Sequence, residues 1–269
     1  MIGRVTGMAA PRIDVVLDGF GINTSTGRLA MCEVMLIEGD GPDARPVRIL
    51  VDPAHLGRRT HLLDALASRG LAPADIDMVV LTHGHWDHIQ NVDVFAHAPV
   101  CLHPDERRYC GRPHRNDWAT PAWTGDILER MRIREIAEGD ELIPGVGVVD
   151  LPGHSPGSIG IAVRGEHGLS LITGDALHYA RIALTRQPAL VFWDAAAAAA
   201  SIDRAVAMAD VLYPGHDRPF RLTADRQIEY LRPFSLTIMG TLPDRAGLRF
   251  DDTPPEPWVM PGIEDQAWR

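Results

Sequence analysis

One short segment of the chain is dense in side chains that bind metal ions. Residues 82–88 read THGHWDH, so three histidines and one aspartate fall within six residues. His83 and His85 are two apart, and on an extended backbone their side chains point to the same side, as two ligands of one ion require. Asp87 and His88 turn away from that side and suit a second ion, and Asp87 could also cap a helix that begins at His88. A polar turn with incidental histidines is the alternative, and the density of ligands argues against it.

Three more candidate ligands follow, each beside a glycine near the end of a predicted strand. They are His154, Asp175 and His216. Glycine lets the backbone turn sharply and approach a site closely. Taken singly, each is explained equally well as a residue of a turn. Taken in order after the first segment, the three residues indicate one common site.

The types of these residues indicate catalysis. Neutral imidazoles and carboxylates suit Zn(II) best, with Fe(II), Mn(II) or Co(II) as alternatives. A structural zinc site closes with four ligands and usually uses cysteines, whereas these candidates include none. Two ions roughly 3.5–4 Å apart can share a water and lower its pKa to about 7. The resulting hydroxide can attack a carbonyl carbon or a phosphorus.

The elements that must position these residues alternate between strands and helices. The apolar run 78–81 is a short buried strand that leads into the first segment. Further strands are predicted at residues 13–17, 30–37, 47–51, 100–103, 146–151, 160–163, 169–173 and 211–213. Helices are predicted at residues 60–69, 194–209 (with Asp194 as N-cap) and 223–236, and a loop at 18–28. This interleaving predicts an α/β class of fold.

Composition argues against several classes of protein. The 269 residues carry 26 basic and 36 acidic side chains, a net charge of −10, which disfavours nucleic acid and anionic membranes as partners. Three cysteines without a CxxC pair disfavour disulfides and favour a reducing compartment. No apolar run approaches the roughly 20 residues of a membrane span, and the first eleven residues lack a signal-peptide core. We therefore expect a soluble, cytoplasmic protein without a membrane partner.

The ordered ligands resemble the signature of the metallo-β-lactamase superfamily, which is H-x-H-x-D-H followed by Gly-His, Gly-Asp and Gly-His. The resemblance runs from Ile13 to about His216. It implies a four-layer αβ/βα sandwich, with α/β (α+β) content, and a dinuclear site at one edge that would hold two Zn(II) ions per chain. By this resemblance the first ion is held by His83, His85 and His154, the second by Asp87, His88 and His216, and Asp175 bridges both.

The resemblance also implies a division of the chain. Residues 1–242 would form a single metallo-β-lactamase-like domain with a lid-like insertion at 104–126. Residues 243–269 would form an irregular C-terminal extension, whose aromatic residues are compatible with a homodimer.

Within the superfamily, the chain is most similar to the acyl-homoserine lactone hydrolases. It shares their Pro-Gly-His-Ser-Pro-Gly around His154, an alanine after Asp175 and the terminal Gly-His-Asp at His216. This similarity implies that a bridging hydroxide opens a lactone while Asp87 receives its proton and delivers it to the leaving alkoxide.

The chain departs from these lactone hydrolases at two places. It has Ile89-Gln90-Asn91 where they have x-G-G-N, and His178 stands where they have a tyrosine that contacts the substrate carbonyl. Tyr179 comes next, so either side chain is a candidate oxyanion donor. The alternative for His178 is an exposed loop position.

Other functions stay open on the same ligands. A thioesterase of the glyoxalase II type, a nuclease or phosphodiesterase, and a ligand sensor with little turnover all belong to this superfamily. Oxygen-reducing diiron relatives normally have glutamate where His85 stands, and one lactamase subclass uses a cysteine where Asp175 stands, so both are disfavoured.

A few further residues could shape a substrate site. Four arginines at 107–115 could bind an anionic small-molecule substrate, with a solvated loop or a subunit contact as the alternative. Trp118, Trp123 and Phe20 could wall a pocket, with ordinary packing as the alternative. Asp52 resembles the buried aspartate that supports a ligand in this family, and a strand-terminal turn is its other interpretation.

Overall fold

Two β-sheets pack face to face and carry helices on their outer faces, in a computed structural model that describes residues 10–166, 168–238 and 256–265. The strands of the described residues are β1 (Arg12–Leu17), β2 (Phe20–Thr24), β3 (Gly27–Met31), β4 (Val34–Asp40), β5 (Pro46–Val51), β6 (Met78–Val80), β7 (Val100–Leu102), β8 (Ile133–Glu135), β9 (Glu141–Ile143), β10 (Val146–Asp150), β11 (Ile159–Gly165), β12 (Gly168–Gly174), β13 (Leu190–Val191), β14 (Val211–Pro214), β15 (Phe220–Leu222), β16 (Ile228–Tyr230) and β17 (Trp258–Val259). The helices are α1 (Arg59–Ala67), α2 (Trp86–Ile89), α3 (Pro104–Gly111), α4 (Thr124–Leu128), α5 (Ile182–Thr185) and α6 (Ala195–Met208).

The two sheets differ in how their strands run. The first has the order β1-β4-β5-β6-β7-β8, antiparallel from β1 to β5 and parallel from β5 to β8. The second has the order β16-β15-β14-β12-β11-β10-β9, and β12 and β14 are its parallel pair. Strands β6, β12 and β14 therefore end at loops that can reach one edge of the sandwich.

Alternating side chains divide the apolar core into three layers. In β4, Ile37 packs between the sheets, whereas its neighbour Leu36 packs outward with Leu62 and Leu66 of α1. Ile202 of α6 belongs to a third cluster, on the outer face of the second sheet. The order helix, sheet, sheet, helix confirms the predicted four-layer α/β sandwich.

Three local predictions are wrong. Residues 18–28 are not one loop, because Phe20–Thr24 and Gly27–Met31 pair as a hairpin in which side chains alternate in direction. The strand predicted at 30–37 is interrupted at residues 32–33, where the chain leaves this hairpin. The helix predicted at 223–236 is absent, since Ile228–Tyr230 pairs with β15 instead and most of this segment is exposed, without an apolar helical face.

The helix prediction near Asp194 is confirmed, and its cap is visible. The Asp194 Oδ1 atom accepts hydrogen bonds from the backbone N–H groups of Ala196 and Ala197, at 2.9 and 3.0 Å. These N–H groups belong to the first turn of α6 and have no partner inside the helix.

The segments predicted as an insertion and as an extension lie partly within the described residues. Segment 104–126 contains α3 and the start of α4. Of the C-terminal extension, residues 243–255 and 266–269 lie outside the described residues, whereas Trp258 and Val259 pair in parallel with β13. Within the described ranges, no helix has both the length and the apolar character that crossing a lipid bilayer requires.

Candidate metal centre

All seven predicted ligands meet at one edge of the sandwich. They form two adjacent groups whose ligand atoms lie within 4.8 Å of one another inside each group. The first group is His83, His85, His154 and Asp175, and the second is Asp87, His88 and His216. All are buried, and each comes from a loop or helix start that follows a strand.

Asp175 lies between the two groups. Its Oδ2 atom is 3.5 Å from His154 Nε2 and 3.3 Å from His216 Nε2, and its Oδ1 atom is 3.4 Å from His88 Nε2. One carboxylate therefore faces histidines of both groups, which is the placement that a bridging ligand needs.

The Nδ1 atoms of His154 and His216 are held by backbone carbonyl groups outside the two ligand groups. Leu190 O lies 3.0 Å from His154 Nδ1, and Met31 O lies 3.1 Å from His216 Nδ1. A carbonyl oxygen only accepts, so each Nδ1 carries a proton, and each Nε2 faces the site.

Asp52 supports the second group, as the sequence suggested. Its Oδ2 atom accepts a hydrogen bond from His88 Nδ1 at 2.8 Å, and its oxygens also accept from the backbone N–H and the hydroxyl of Thr82. Asp52 is held with a positive φ of 53°. Its carboxylate fixes the ring of His88 and the start of the ligand segment together.

Helix α2 begins at Trp86, two residues before the predicted start at His88. Its N-cap is His85, and Asp87 lies in its first turn. The prediction that Asp87 caps a helix beginning at His88 is therefore wrong.

Burial shapes the protonation of the first group. Burial, together with neighbouring histidines, lowers the pKa of His83 and His85 well below its usual value. Burial lowers the pKa of His154 to about 3. These imidazoles are neutral at physiological pH, which is the form that binds a metal ion.

The second group has the opposite electrostatics. Burial disfavours charge on His88, but the carboxylates of Asp175, Asp87 and Asp52 outweigh it and raise the His88 pKa well above its usual value. Burial likewise opposes ionisation of Asp175, and the surrounding histidines overcome it and hold the Asp175 pKa well below its usual value. The site thus combines an ionised Asp175 carboxylate with surroundings of His88 that favour positive charge.

The donor set fits metal ions. Among the described residues, the buried His83 Nε2, His88 Nε2 and Asp175 Oδ1 atoms have no hydrogen-bond partner. Buried polar atoms are rarely left without one. A metal ion in each group would satisfy these atoms with the nitrogen and oxygen ligands that Zn(II) prefers.

The two candidate oxyanion donors occupy different places. His178 is 1% exposed, so the alternative of an exposed loop position is wrong, and its Nε2 atom lies 2.9 Å from Asp175 Oδ2. The Tyr179 hydroxyl lies farther out, 3.4 Å from an Arg28 guanidinium nitrogen.

A cleft leads from the metal ligands toward solvent through two adjoining cavities. The inner cavity is lined by His85, Asp87, Asp175, His178 and His216 among others. The outer cavity, of about 210 Å³, is lined by Asn23, Tyr179, Ala189, Glu256 and Trp258. Arg28, Trp118 and Leu190 line both cavities and connect them.

Of the predicted pocket walls, Trp118 lines the cleft. Phe20 packs against Phe234 instead, with ring centroids 5.9 Å apart. Trp123 is 45% exposed and lines neither cavity. An aromatic wall that the sequence did not single out as such is Phe192, whose ring packs edge-on against His85 and His154.

The arginines at 107–115 do not line either cavity. Arg107 forms an ion pair with Glu135, and Arg108 forms one with Asp105 on the same helix. This placement favours the interpretation as a solvated surface. A cation that does line the cleft is Arg28. It was predicted as the last residue of a loop, but apolar and polar residues alternate on either side of Ser25-Thr26-Gly27, and this alternation indicates the two strands of a hairpin.

Residues 31–216 match the family model of the metallo-beta-lactamase superfamily. The metallo-beta-lactamase domain-containing protein 1 of Xenopus laevis is 31% identical over 219 residues, which are 80% of this chain and 84% of that protein. Matches to the rat, mouse and human proteins of the same name cover 64%, 62% and 59% of those proteins.

Two lactonases are also similar to this chain. The N-acyl homoserine lactonase of Bacillus cereus is 32% identical over 109 residues, which are 40% of this chain and 41% of that protein. The structure of AidC, a dizinc quorum-quenching lactonase in complex with a product, aligns with a TM-score of 0.57 at 15% identity, over 86% of this chain and 94% of that one. The structural likeness shows the shared fold.

Proposed function

Because the chain belongs to the metallo-β-lactamase superfamily, we propose that it is a metal-dependent hydrolase whose substrate is a cyclic ester, a lactone. The observation that carries the proposal is the pair of adjacent groups, of four and three buried ligands, at the inner end of a cleft. Support for a lactone comes from the relatives, since the Bacillus cereus protein and AidC are both named as lactonases.

We propose two Zn(II) ions per chain, one for each ligand group, with Fe(II), Mn(II) or Co(II) as alternatives. Bound there, the ions would supply Lewis acidity and lower the pKa of a shared water to about 7. The imidazole and carboxylate donors support zinc, and AidC is named as a dizinc enzyme.

Asp87 is the proposed proton carrier. Its Oδ2 atom lies 3.3 Å from His216 Nε2, and the residue lines the inner cavity. A carboxylate at this position can take the proton of an attacking water and return it to the leaving alkoxide.

His178 is the proposed donor to the developing oxyanion. It lines the inner cavity with the metal ligands, whereas Tyr179 lines the outer cavity. A donor aimed at the carbonyl oxygen stabilises the charge that builds up there during attack.

Four substrates test the proposal on the zinc-loaded protein: an N-acyl homoserine lactone, an acyl thioester, a β-lactam and a phosphodiester. We expect lactone turnover that a chelator abolishes and zinc restores. Metal-dependent turnover of the thioester alone would assign a thioesterase activity instead of a lactonase activity. Metal-dependent turnover of the phosphodiester alone would assign a nuclease activity. Tight binding of the lactone without turnover would indicate a sensor.

The proposed compartment is the cytoplasm. All three cysteines are buried free thiols, which a reducing environment preserves.

A further inference from the structure

Arg28 occupies a distinctive place in the cleft. It lies on β3 and lines both the inner cavity with the metal ligands and the outer cavity. The side chain is half-buried, and an arginine keeps its positive charge at any pH the protein meets. A fixed cation therefore stands on the path between solvent and the metal ligands.

The guanidinium is not neutralised by a carboxylate of the described chain. Within 4.0 Å, no described aspartate or glutamate pairs with it. Its neighbours are the Tyr179 hydroxyl, at 3.4 Å, and the face of Trp118, whose centroid is 5.9 Å away. By contrast, Arg107 on the outer surface pairs with Glu135 at 2.9 Å.

These neighbours orient the side chain and leave donors for a ligand. A guanidinium has five N–H donors in a planar fork, and an aromatic face within about 6 Å holds such a plane without using them. The fork matches the two oxygens of a carboxylate.

The charge of Arg28 also reaches the reaction site. It lowers the pKa of Tyr179, although burial raises that pKa more, and it adds to the burial that lowers the pKa of His178. Arg28 and His178 both line the inner cavity. A ligand held at Arg28 would therefore lie beside the proposed oxyanion donor.

We propose that Arg28 binds a carboxylate of the substrate, at a part of the molecule remote from the bond that is cleaved. The inference rests on the proposed hydrolase function and names its substrate class: an ester or lactone that carries a separate carboxylate. The apolar body of such a substrate would lie against Trp118 and Trp258, whose ring centroids are 6.0 Å apart. Glu256, at the outer cavity, would disfavour a second negative charge.

A binding test needs no turnover. Tryptophan fluorescence of the zinc-loaded protein is followed during titration with 4-phenylbutyrate, which is anionic, and with 4-phenylbutyramide, its neutral counterpart. The variants are Arg28→Gln, Arg28→Lys and Arg107→Gln, the last removing one surface charge at a site outside the cleft. The wild type and the three variants have the same metal ligands, so any binding of the carboxylate by the metal ions is common to all four proteins.

The proposal predicts that the ratio of the two dissociation constants, amide over carboxylate, falls about tenfold in Arg28→Gln and less in Arg28→Lys. The ratio in Arg107→Gln stays at the wild-type value. Equal ratios in the wild type and Arg28→Gln, or no binding of either probe, would overturn the inference.

A kinetic comparison separates this inference from the hydrolase proposal. Monophenyl glutarate and phenyl butyrate are esters with and without a carboxylate, and the ratio of their kcat/KM values should also fall about tenfold in Arg28→Gln, through KM. Turnover with an unchanged ratio would overturn the role of Arg28 and leave the hydrolase intact. A preference for the carboxylate probe in the binding test, without turnover of either ester, would support the role of Arg28 and contradict the hydrolase proposal.

Discussion

The Oε1 atom of Glu106 accepts a hydrogen bond of 2.8 Å from the backbone N–H of Gly84, the residue between His83 and His85. Its Oε2 atom accepts from the Gly157 N–H, at 2.9 Å, and from the Ser155 hydroxyl, at 2.7 Å. One buried carboxylate on α3 thereby joins the loop that carries two ligands of the first group to the loop that carries the third.

Glu106 should make stability depend on pH. Burial raises its pKa from 4.5 to about 7, against the hydrogen bonds that favour the charged form. Because the folded pKa lies above the unfolded one, the folded state holds a proton that the unfolded state has released between these values, so stability falls as pH rises from about 4.5 to 7. The shift corresponds to roughly 3 kcal/mol.

The measurement is urea unfolding of metal-free wild type and Glu106→Gln over this pH range. The difference in unfolding free energy, wild type minus variant, should decrease with rising pH. The exposed Glu135→Gln is the control and should show no such trend. A difference that is flat, or that increases with pH, would contradict the buried titration.

Gly215 leaves room for the bridging carboxylate. A Cβ atom there would overlap Asp175 Oδ1, so Gly215→Ala must displace Asp175. We expect metal affinity to fall by at least about tenfold, as for other changes that misplace a ligand. A competing chromophoric chelator measures the affinity. Gly111→Ala, whose Cβ meets nothing within 4 Å, should bind metal as the wild type does, and equal affinities of the two variants would refute the argument.

His178 and Tyr179 can be told apart by kinetics on whichever substrate the protein turns over. Removing an oxyanion donor typically costs about 10²–10³ in kcat. We expect that loss for His178→Ala with unchanged metal content, and a loss of only a few fold for Tyr179→Phe. A larger loss of kcat in Tyr179→Phe would assign the donor to Tyr179.

The metal ligands could be predicted from sequence because their pattern is local. Four lie within one short segment, and His154, Asp175 and His216 each follow a strand beside a glycine. The strands themselves were visible as apolar runs, which predicted the α/β class, whereas the four-layer sandwich was implied by the resemblance to the superfamily.

The residues around the ligands were harder to predict, since their partners are distant in sequence. Glu106 is 22 residues from Gly84 and 51 from Gly157, and among the charged neighbours of α3 it resembles a surface residue. Arg28 lies 151 residues from Tyr179. The error at residues 223–236 has a similar origin, because pairing of Ile228–Tyr230 with β15 outweighed local helix propensity.

The most direct test of the account measures metal content and lactone turnover of the same preparations. Wild type, Asp175→Ala and Asp93→Ala are compared by mass spectrometry and by hydrolysis; Asp93 is an exposed partner of Arg59 and serves as the control. The account predicts about two ions per chain and turnover in the wild type and Asp93→Ala, with loss of at least one ion and of turnover in Asp175→Ala. Less than one ion in wild type after supplementation with Zn(II), Mn(II) or Fe(II), without hydrolysis, would contradict it.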